Sequence, residues 1–240
     1  MRSNRDNPTV QKSSGHQSDE MPGWKRAADI TCSLAVLPVL ALFTLLTAIV
    51  MKFTSPGPVF FRQERVGFQG RRFQCYKFRT MHVGADSKIH QTHCDQLIQS
   101  NAPMVKMDAR GDSRLIPGGR LIRASGLDEL PQIINVLRGE MSLVGPRPCV
   151  PYEYEKYTSW QRDRFNAVPG LTGLWQVSGK NRTTFDEMIR LDIRYAQDKS
   201  LSLDLQIMLK TIPTMLSQLL DARSKSKPVA QPVRAITAET

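Results

Sequence analysis

Two adjacent carboxylates, Asp128 and Glu129, are the residues of this chain best suited to chemistry. They open an apolar run with helical spacing, made of Leu130, Ile133, Ile134, Val136 and Leu137. Pro131 is tolerated only in the first turn of such a helix, and Gly139 is typical of its end. Asp128 is therefore predicted at the N-cap or in the first turn, where unpaired N–H groups favour its ionised form. An ionised, oriented aspartate is either a cap or a nucleophile, and the helix start alone favours the cap.

Four cationic side chains are candidates for binding an anion beside these carboxylates. Arg147 lies between two prolines, whose rings restrict the local backbone and preorganise its guanidinium. A guanidinium binds phosphate oxygens through paired hydrogen bonds. Arg123 leads into the carboxylate pair, and Lys77 and Arg79 both lie in the run YKFRTM. Cations beside carboxylates indicate phosphoryl chemistry, in which an aspartate can attack phosphorus and a divalent ion screens the repulsion between anions.

Composition and the remaining motifs limit the classes of protein to consider. With 240 residues, 40% of them hydrophobic, the chain can form one domain with a core and is not a polytopic membrane protein. Its 33 Lys and Arg against 22 Asp and Glu give a net charge of +11, which favours phosphate-bearing partners. The four cysteines lack paired spacing, so we expect reduced thiols. No second ligand pair supports a metal site at His90, His93 and Cys94, which we interpret as chance proximity at the surface.

One strongly apolar segment, residues 30–51, carries no charge and is long enough to touch the far side of a bilayer. A cleaved signal peptide is disfavoured, because Lys52 and Phe53 follow in place of a small-residue cleavage site. Pro38 near the middle is expected to kink or break a helix. Basic residues flank both ends, which is typical of two cytoplasmic ends. The sequence leaves two alternatives open, a re-entrant helix that bends at Pro38 and a kinked spanning anchor.

The rest of the chain divides into a globular region between polar tails. Residues 1–21 and 222–240 are predicted to be disordered, 22–53 to form the membrane helix-break-helix, and 54–221 to form a cytoplasmic domain. In that domain short strands are predicted at 59–61 and 73–78, and amphipathic helices at 152–164, 184–198 and 201–220, the last broken near Pro213. Residues 84–111 are interpreted as a loop or insertion, and the Gly-rich segment 168–181 is expected to approach a ligand closely.

Five blocks of this sequence, in order, resemble the bacterial sugar transferase family, the monotopic phosphoglycosyl transferases. They are KRAAD with the apolar segment that follows, SPGPVFFRQERVG, YKFRTM, LDELPQIINVLRGEMSLVGPRP and PGLTGLWQVSGKN. The resemblance covers roughly residues 22–220, and the long segment after YKFRTM is similar to exopolysaccharide-type members. It implies an α+β, mostly helical fold, with a re-entrant membrane helix attached to a small cytoplasmic catalytic domain that has short strands and amphipathic interfacial helices.

The resemblance also implies a mechanism and partners. Asp128 would attack the sugar-bearing phosphate of a UDP-sugar, expel UMP, and pass the phosphosugar to undecaprenyl phosphate. Glu129 matches the family's partner carboxylate, which together with Asp128 would hold Mg²⁺. Arg123 and Arg147 match phosphate-binding arginines, and Lys77 and Arg79 match a motif whose role is less defined. The implied location is the bacterial inner membrane, with the catalytic domain on the cytoplasmic face.

One departure and two rival functions remain. Many members have Ser-Pro at the membrane break where this chain has Leu37-Pro38, and leucine cannot satisfy a carbonyl freed by the proline. A membrane-bound phosphatase or pyrophosphatase would use the same aspartate but pass the phosphoryl group to water. A basic, membrane-attached binding module would need no aspartate at all. The identity of the sugar and the oligomeric state cannot be inferred from one sequence.

Overall fold

The computed structural model describes residues 21–85, 88–101, 103–104, 114–179 and 182–224. Nearly all of the two predicted tails, and part of the predicted loop at 84–111, lie outside the described residues. The described helices are α1 Gly23–Thr54, α2 Lys88–Ser100, α3 Gly119–Ser125, α4 Ile133–Arg138, α5 Pro151–Lys156, α6 Ser159–Arg162, α7 Leu174–Val177, α8 Phe185–Asp198 and α9 Leu201–Ser224. The described strands are β1 Phe60–Val66, β2 Arg72–Phe78, β3 Ser142–Val144 and β4 Gly170–Thr172. The prediction of a mostly helical fold with short strands is confirmed.

A hairpin of β1 and β2 forms the platform for the carboxylate segment. The two strands pair antiparallel from Phe60 opposite Phe78 to Val66 opposite Arg72. Asn135 of α4 fixes the helix to β2, because its amide accepts from the Tyr76 N–H at 3.1 Å and donates to the Gln74 carbonyl at 2.7 Å. Asn135 is fully buried, so both hydrogen bonds are shielded from water and costly to break. The hairpin therefore sets where the chain just before α4 can lie.

A short parallel pair, β3 and β4, holds the segment that follows α4. Ser142 pairs with Gly170 and Val144 with Thr172, and the backbones also approach closely at Gly145, the residue just after β3. A Cβ added at Gly145 would lie 2.2 Å from the Val168 carbonyl oxygen and 2.8 Å from the Gly170 nitrogen. Both neighbours are backbone atoms and cannot move aside cheaply. The glycine thus permits the pairing that leads directly into Arg147.

Gly145→Ala is expected to lower the free energy of unfolding by roughly 2–4 kcal/mol, because the methyl group forces two paired backbones apart. The measurement is denaturant unfolding of the detergent-solubilised protein. Gly23→Ala is the matched control, since a Cβ there meets no atom within 4 Å. Equal unfolding midpoints for the two variants would contradict the close approach described here.

Helix α1 is the only described helix that is long and apolar enough to cross a membrane. The helix continues through Pro38, which removes one backbone hydrogen bond while the neighbouring turns stay helical. The prediction that the helix breaks at Pro38 is therefore wrong. Most of its apolar side chains are exposed, namely Leu34, Val39, Leu42, Leu45, Leu46, Ile49, Val50 and Phe53. Exposure of this kind is typical of a helix that meets lipid rather than a protein core.

Polar contacts attach both ends of α1 to the globular region. The Lys25 ammonium lies 2.5 Å from the Asp204 carboxylate of α9, and both residues are buried. Asp29 accepts hydrogen bonds from the Ser142 hydroxyl and the Leu143 N–H, each at 3.0 Å. Just after the other end, Ser55 accepts two hydrogen bonds from Arg79. The two ends of the helix therefore contact one and the same domain.

Two predictions about the later helices need correction. The predicted helix at 152–164 is instead α5, α6 and a 3₁₀ segment, Asp163–Asn166, because the chain turns at Tyr157 into a new cap at Thr158. Helix α9 continues through Pro213 where a break was predicted. One face of α9 exposes Leu201, Leu205, Leu209, Ile212, Leu216 and Leu220, so its amphipathic character is confirmed.

Candidate active site

A cavity of about 530 Å³ is lined by the carboxylate pair and by three of the four predicted cations. Asp128, Glu129, Lys77, Arg123 and Arg147 all contribute to its wall. These residues come from β2, the end of α3, the carboxylate segment and the loop after β3. The structure thus brings together residues that the sequence separates widely, while their chemical roles stay predictions.

The carboxylates lie in the first turn of a 3₁₀ segment, Leu127–Gln132, that runs into α4. The cap position is held by Gly126 with a φ of 71°, so placement of Asp128 in the first turn is confirmed and placement at the N-cap is wrong. Gly139, with a φ of 79°, ends α4 as predicted. Asp128 is 6% exposed yet lines the cavity, so one carboxylate faces a restricted, partly dry space.

Lys77 reaches Glu129 across the hairpin edge. The Lys77 ammonium lies 2.7 Å from Oε1 of Glu129, with the two side chains 21% and 38% exposed. A pair this accessible to water contributes little to stability. The contact holds Oε1 of Glu129 against the ammonium and places one positive charge beside the carboxylate segment on the cavity wall.

Arg147 is held at its side chain by Glu153 of α5. Its Nη1 and Nη2 lie 3.0 and 3.4 Å from the two carboxylate oxygens of Glu153, which is 3% exposed. Burial by itself would raise the pKa of Glu153, but Arg147 outweighs it, and the pKa falls from 4.5 to about 2. Glu153 is therefore ionised at any pH at which the protein would function.

The backbone around Arg147 is also held by arginines. Arg164 donates to the Arg147 carbonyl at 2.8 Å, and Arg65 donates to the Pro148 carbonyl at 3.2 Å. Arg164 is fully buried and pairs with the equally buried Asp192 of α8. The guanidinium groups of Arg164 and Arg65 thus restrain the same short Pro-Arg-Pro segment, and Arg65 itself lines the cavity.

Arg79 lies elsewhere. It is 5% exposed, and its guanidinium donates to the Pro58 carbonyl at 2.7 Å and to the Ser55 hydroxyl and carbonyl. It is not among the residues that line the cavity. Through these contacts Arg79 stabilises the connection between the end of α1 and the start of β1. They give no support to Arg79 as a phosphate-binding residue.

Several cavity residues were missed by the sequence analysis. His93 and Cys94 of α2 line the cavity and Cys94 is buried, so their interpretation as chance proximity at the surface is wrong. Glu153 carries no motif of its own, and only its contact with Arg147 reveals it. Trp175 and Gln176 line the cavity from the Gly-rich segment that was expected to approach a ligand. Among the described residues, no group of three or more His, Cys, Asp or Glu could hold a metal ion.

The sequence is similar to a protein family and to several known proteins. The family described as bacterial sugar transferase matches residues 21–218. The galactosyl transferase CpsE of Streptococcus agalactiae is 42% identical over 199 residues, which are 80% of this chain and 42% of that protein. The exopolysaccharide production protein ExoY of Rhizobium meliloti is 40% identical over 192 residues, 80% of this chain and 84% of the relative.

A third relative is named for a specific reaction. The UDP-glucose:undecaprenyl-phosphate glucose-1-phosphate transferase of Caulobacter vibrioides is 41% identical over 201 residues, 80% of this chain and 70% of that protein. This chain thus spans less than half of CpsE but most of the other two relatives. The family match covers α1, the carboxylate segment and most of α9. The chain belongs to the bacterial sugar transferase family.

Proposed function

We propose that the protein transfers a sugar-1-phosphate from a UDP-sugar to undecaprenyl phosphate and releases UMP, as an early membrane step of exopolysaccharide or related glycan synthesis. The names of the relatives support the substrate classes, since they include undecaprenyl-phosphate glucose-1-phosphate and galactose transferases. The observation that carries the proposal is the position of Asp128, a carboxylate on the wall of a cavity that also presents Lys77, Arg123 and Arg147.

In the first step a carboxylate oxygen of Asp128 attacks the phosphorus that bears the sugar. An O–P bond forms to Asp128 as the bond from that phosphorus to the bridging oxygen breaks, and the electron pair leaves with UMP. Arg123 and Arg147 bind the diphosphate oxygens, which reduces their repulsion of the incoming carboxylate. The restricted space around Asp128 favours attack by the carboxylate because little water competes for it.

In the second step an oxygen of undecaprenyl phosphate attacks the same phosphorus. The bond between Asp128 and phosphorus breaks, Asp128 regains its carboxylate, and the sugar leaves as a lipid-linked diphosphate. The acceptor can approach from α9, because Thr211, Thr214 and Met215 of that helix line the cavity while its neighbouring face is apolar and exposed.

Mg²⁺ is part of the proposal. It prefers oxygen ligands and is bound by one or two carboxylates together with substrate phosphates, which fits Asp128 and Glu129 beside a diphosphate. Bound there, it would neutralise charge that develops on the phosphoryl oxygens. Lys77 orients Glu129 through Oε1 and so controls how that carboxylate meets a cation.

We also propose that α1 is re-entrant, with the domain on the cytoplasmic face of the inner membrane. The support is that Lys25 near its start and Ser55 after its end both contact the same domain. A spanning helix would carry one of these ends to the opposite face, about 30 Å away. Basic residues near both ends agree with a cytoplasmic location for each.

The test is UMP release from a panel of UDP-sugars by the full-length protein in detergent, with undecaprenyl phosphate and Mg²⁺. The expected result is acceptor-dependent UMP from one sugar and its loss on chelation of the metal. Free phosphate without lipid-linked product would favour the phosphatase rival instead. Folded protein that releases UMP from no sugar would contradict the proposal and leave the binding module as the alternative.

A further inference from the structure

We propose that Glu153 is a positioning residue for phosphate recognition: it fixes the Arg147 guanidinium at the cavity wall without touching the substrate itself. The inference rests on the proposed function, because it assigns a supporting partner to one of the cations of that site. Its basis is the two-point contact between both Glu153 oxygens and both terminal nitrogens of Arg147, at 3.0 and 3.4 Å.

The burial of the two partners differs in a way that suits this role. Glu153 is 3% exposed as a side chain, whereas Arg147 is 22% exposed and lines the cavity. A guanidinium has five N–H donors, and the contact with Glu153 engages only one edge of it. Donors therefore remain for oxygens in the cavity. A two-point contact also fixes the plane of the guanidinium, which a single hydrogen bond would leave free to rotate.

Glu153 is itself held in place by neutral donors. The Tyr157 hydroxyl lies 3.4 Å from Oε2 and the Cys94 thiol 3.3 Å from Oε1. Tyr157 in turn accepts from Arg164 at 3.1 Å, and Arg164 is the residue that donates to the Arg147 carbonyl. The side chain and the backbone of Arg147 are thus restrained by one connected network.

Such restraint matters for binding because a free arginine side chain loses rotamer entropy when it is ordered. A substrate that meets an already ordered guanidinium does not bear that cost. Loss of the restraint should therefore raise the KM for the UDP-sugar more than it lowers kcat. An ion pair that only stabilises the fold would change the unfolding midpoint and leave both the KM and the kcat of the folded protein unaltered.

The experiment is a double-mutant cycle that uses Glu153→Gln, Arg147→Ala and the combination, with UMP release as the readout. Glu153→Gln is expected to lower kcat/KM by roughly tenfold to a hundredfold, chiefly through KM. In the Arg147→Ala background the same substitution should have almost no further effect, because its only route to the substrate is gone. Glu155→Gln is the matched control, since it is the same change at an exposed position of α5.

Two results would overturn the inference. One is a Glu153→Gln protein that folds and keeps the wild-type KM. The other is an equal loss in both backgrounds. If Glu153→Gln does not fold, Glu153→Asp takes its place in the cycle, because it keeps the charge and shortens the reach. Wild-type protein that releases no UMP would instead refute the proposed function, so the two failures are distinguishable.

Discussion

Asp128→Asn is expected to lower acceptor-dependent UMP release by roughly 10⁴-fold or more, because the amide is not a nucleophile and no covalent intermediate can form on it. The substitution keeps the size and shape of the side chain, so the cavity wall is preserved. Activity is measured as initial rates with saturating UDP-sugar and undecaprenyl phosphate. Asp163→Asn is the matched control, since Asp163 is exposed and lies in another 3₁₀ segment.

The same variant separates the two roles that the sequence left open for Asp128. A residue that only stabilised the helix start would cost about 1 kcal/mol of stability on replacement and leave turnover largely intact. The structure gives the cap position to Gly126, so we expect the unfolding midpoint of Asp128→Asn to stay close to that of the wild type. A destabilised variant with full activity would remove Asp128 as nucleophile.

Arg164→Met is expected to cost about 3–5 kcal/mol of unfolding free energy, the largest stability loss among these predictions. Arg164 and Asp192 are both fully buried, so removal of the arginine leaves a carboxylate without its counter-charge. Denaturant unfolding at neutral pH measures the loss. The matched control is Arg194→Met, which removes an arginine from the exposed pair with Asp198 and should be close to neutral.

The pH dependence gives this prediction a second readout. Burial already raises the pKa of Asp192 from 3.8 to about 6, although Arg164 acts to lower it. Without Arg164 the folded-state pKa rises further above the unfolded value, so the folded state binds a proton more tightly. In the variant, the stability that Asp192 itself contributes is then fully present below pH 3.8 and is lost as the pH rises through the folded pKa. The deficit should therefore grow from pH 5 to pH 8.

Replacing both Arg164 and Asp192 tests whether the unpaired carboxylate causes the loss of stability. In Arg164→Met/Asp192→Leu neither charge remains, so much of the lost stability should return. A double variant as unstable as Arg164→Met would show that the arginine acts mainly through its hydrogen bonds to Tyr157 and to the Arg147 carbonyl. A single variant with wild-type stability would contradict the account of the buried pair.

Local patterns in the sequence were sufficient for the elements that form the floor of the cavity. The apolar spacing after Glu129 and the glycine at 139 predicted α4 and its end, because a helix face and a left-handed stop are decided by neighbouring residues. The two strands of the hairpin were likewise predicted, at 59–61 and 73–78, from aromatic and β-branched pieces between turn residues. The five candidate residues that the cavity brings together were also recognisable from the sequence, namely Asp128, Glu129, Lys77, Arg123 and Arg147.

What the sequence could not provide is the set of long-range contacts. Glu153 becomes significant only when α5 packs beside the loop after β3, and Cys94 only when α2 brings its thiol to Glu153. Arg79 shares a motif with Lys77, yet it lies just beyond the end of β2, where its guanidinium donates to the Pro58 and Ser55 carbonyls and does not line the cavity. Prolines 38 and 213 were expected to break helices, but both helices continue through them.

The central claim, a phosphosugar held on Asp128, is tested most directly by mass spectrometry of the intact protein. The protein is incubated with the UDP-sugar that supports turnover and with Mg²⁺, but without undecaprenyl phosphate. We predict a mass increase equal to one sugar phosphate, located by digestion on the peptide that contains Asp128, removed by later addition of the acceptor, and missing in Asp128→Asn. Steady acceptor-dependent UMP release with no adduct on rapid quenching would contradict the account and indicate direct transfer between donor and acceptor.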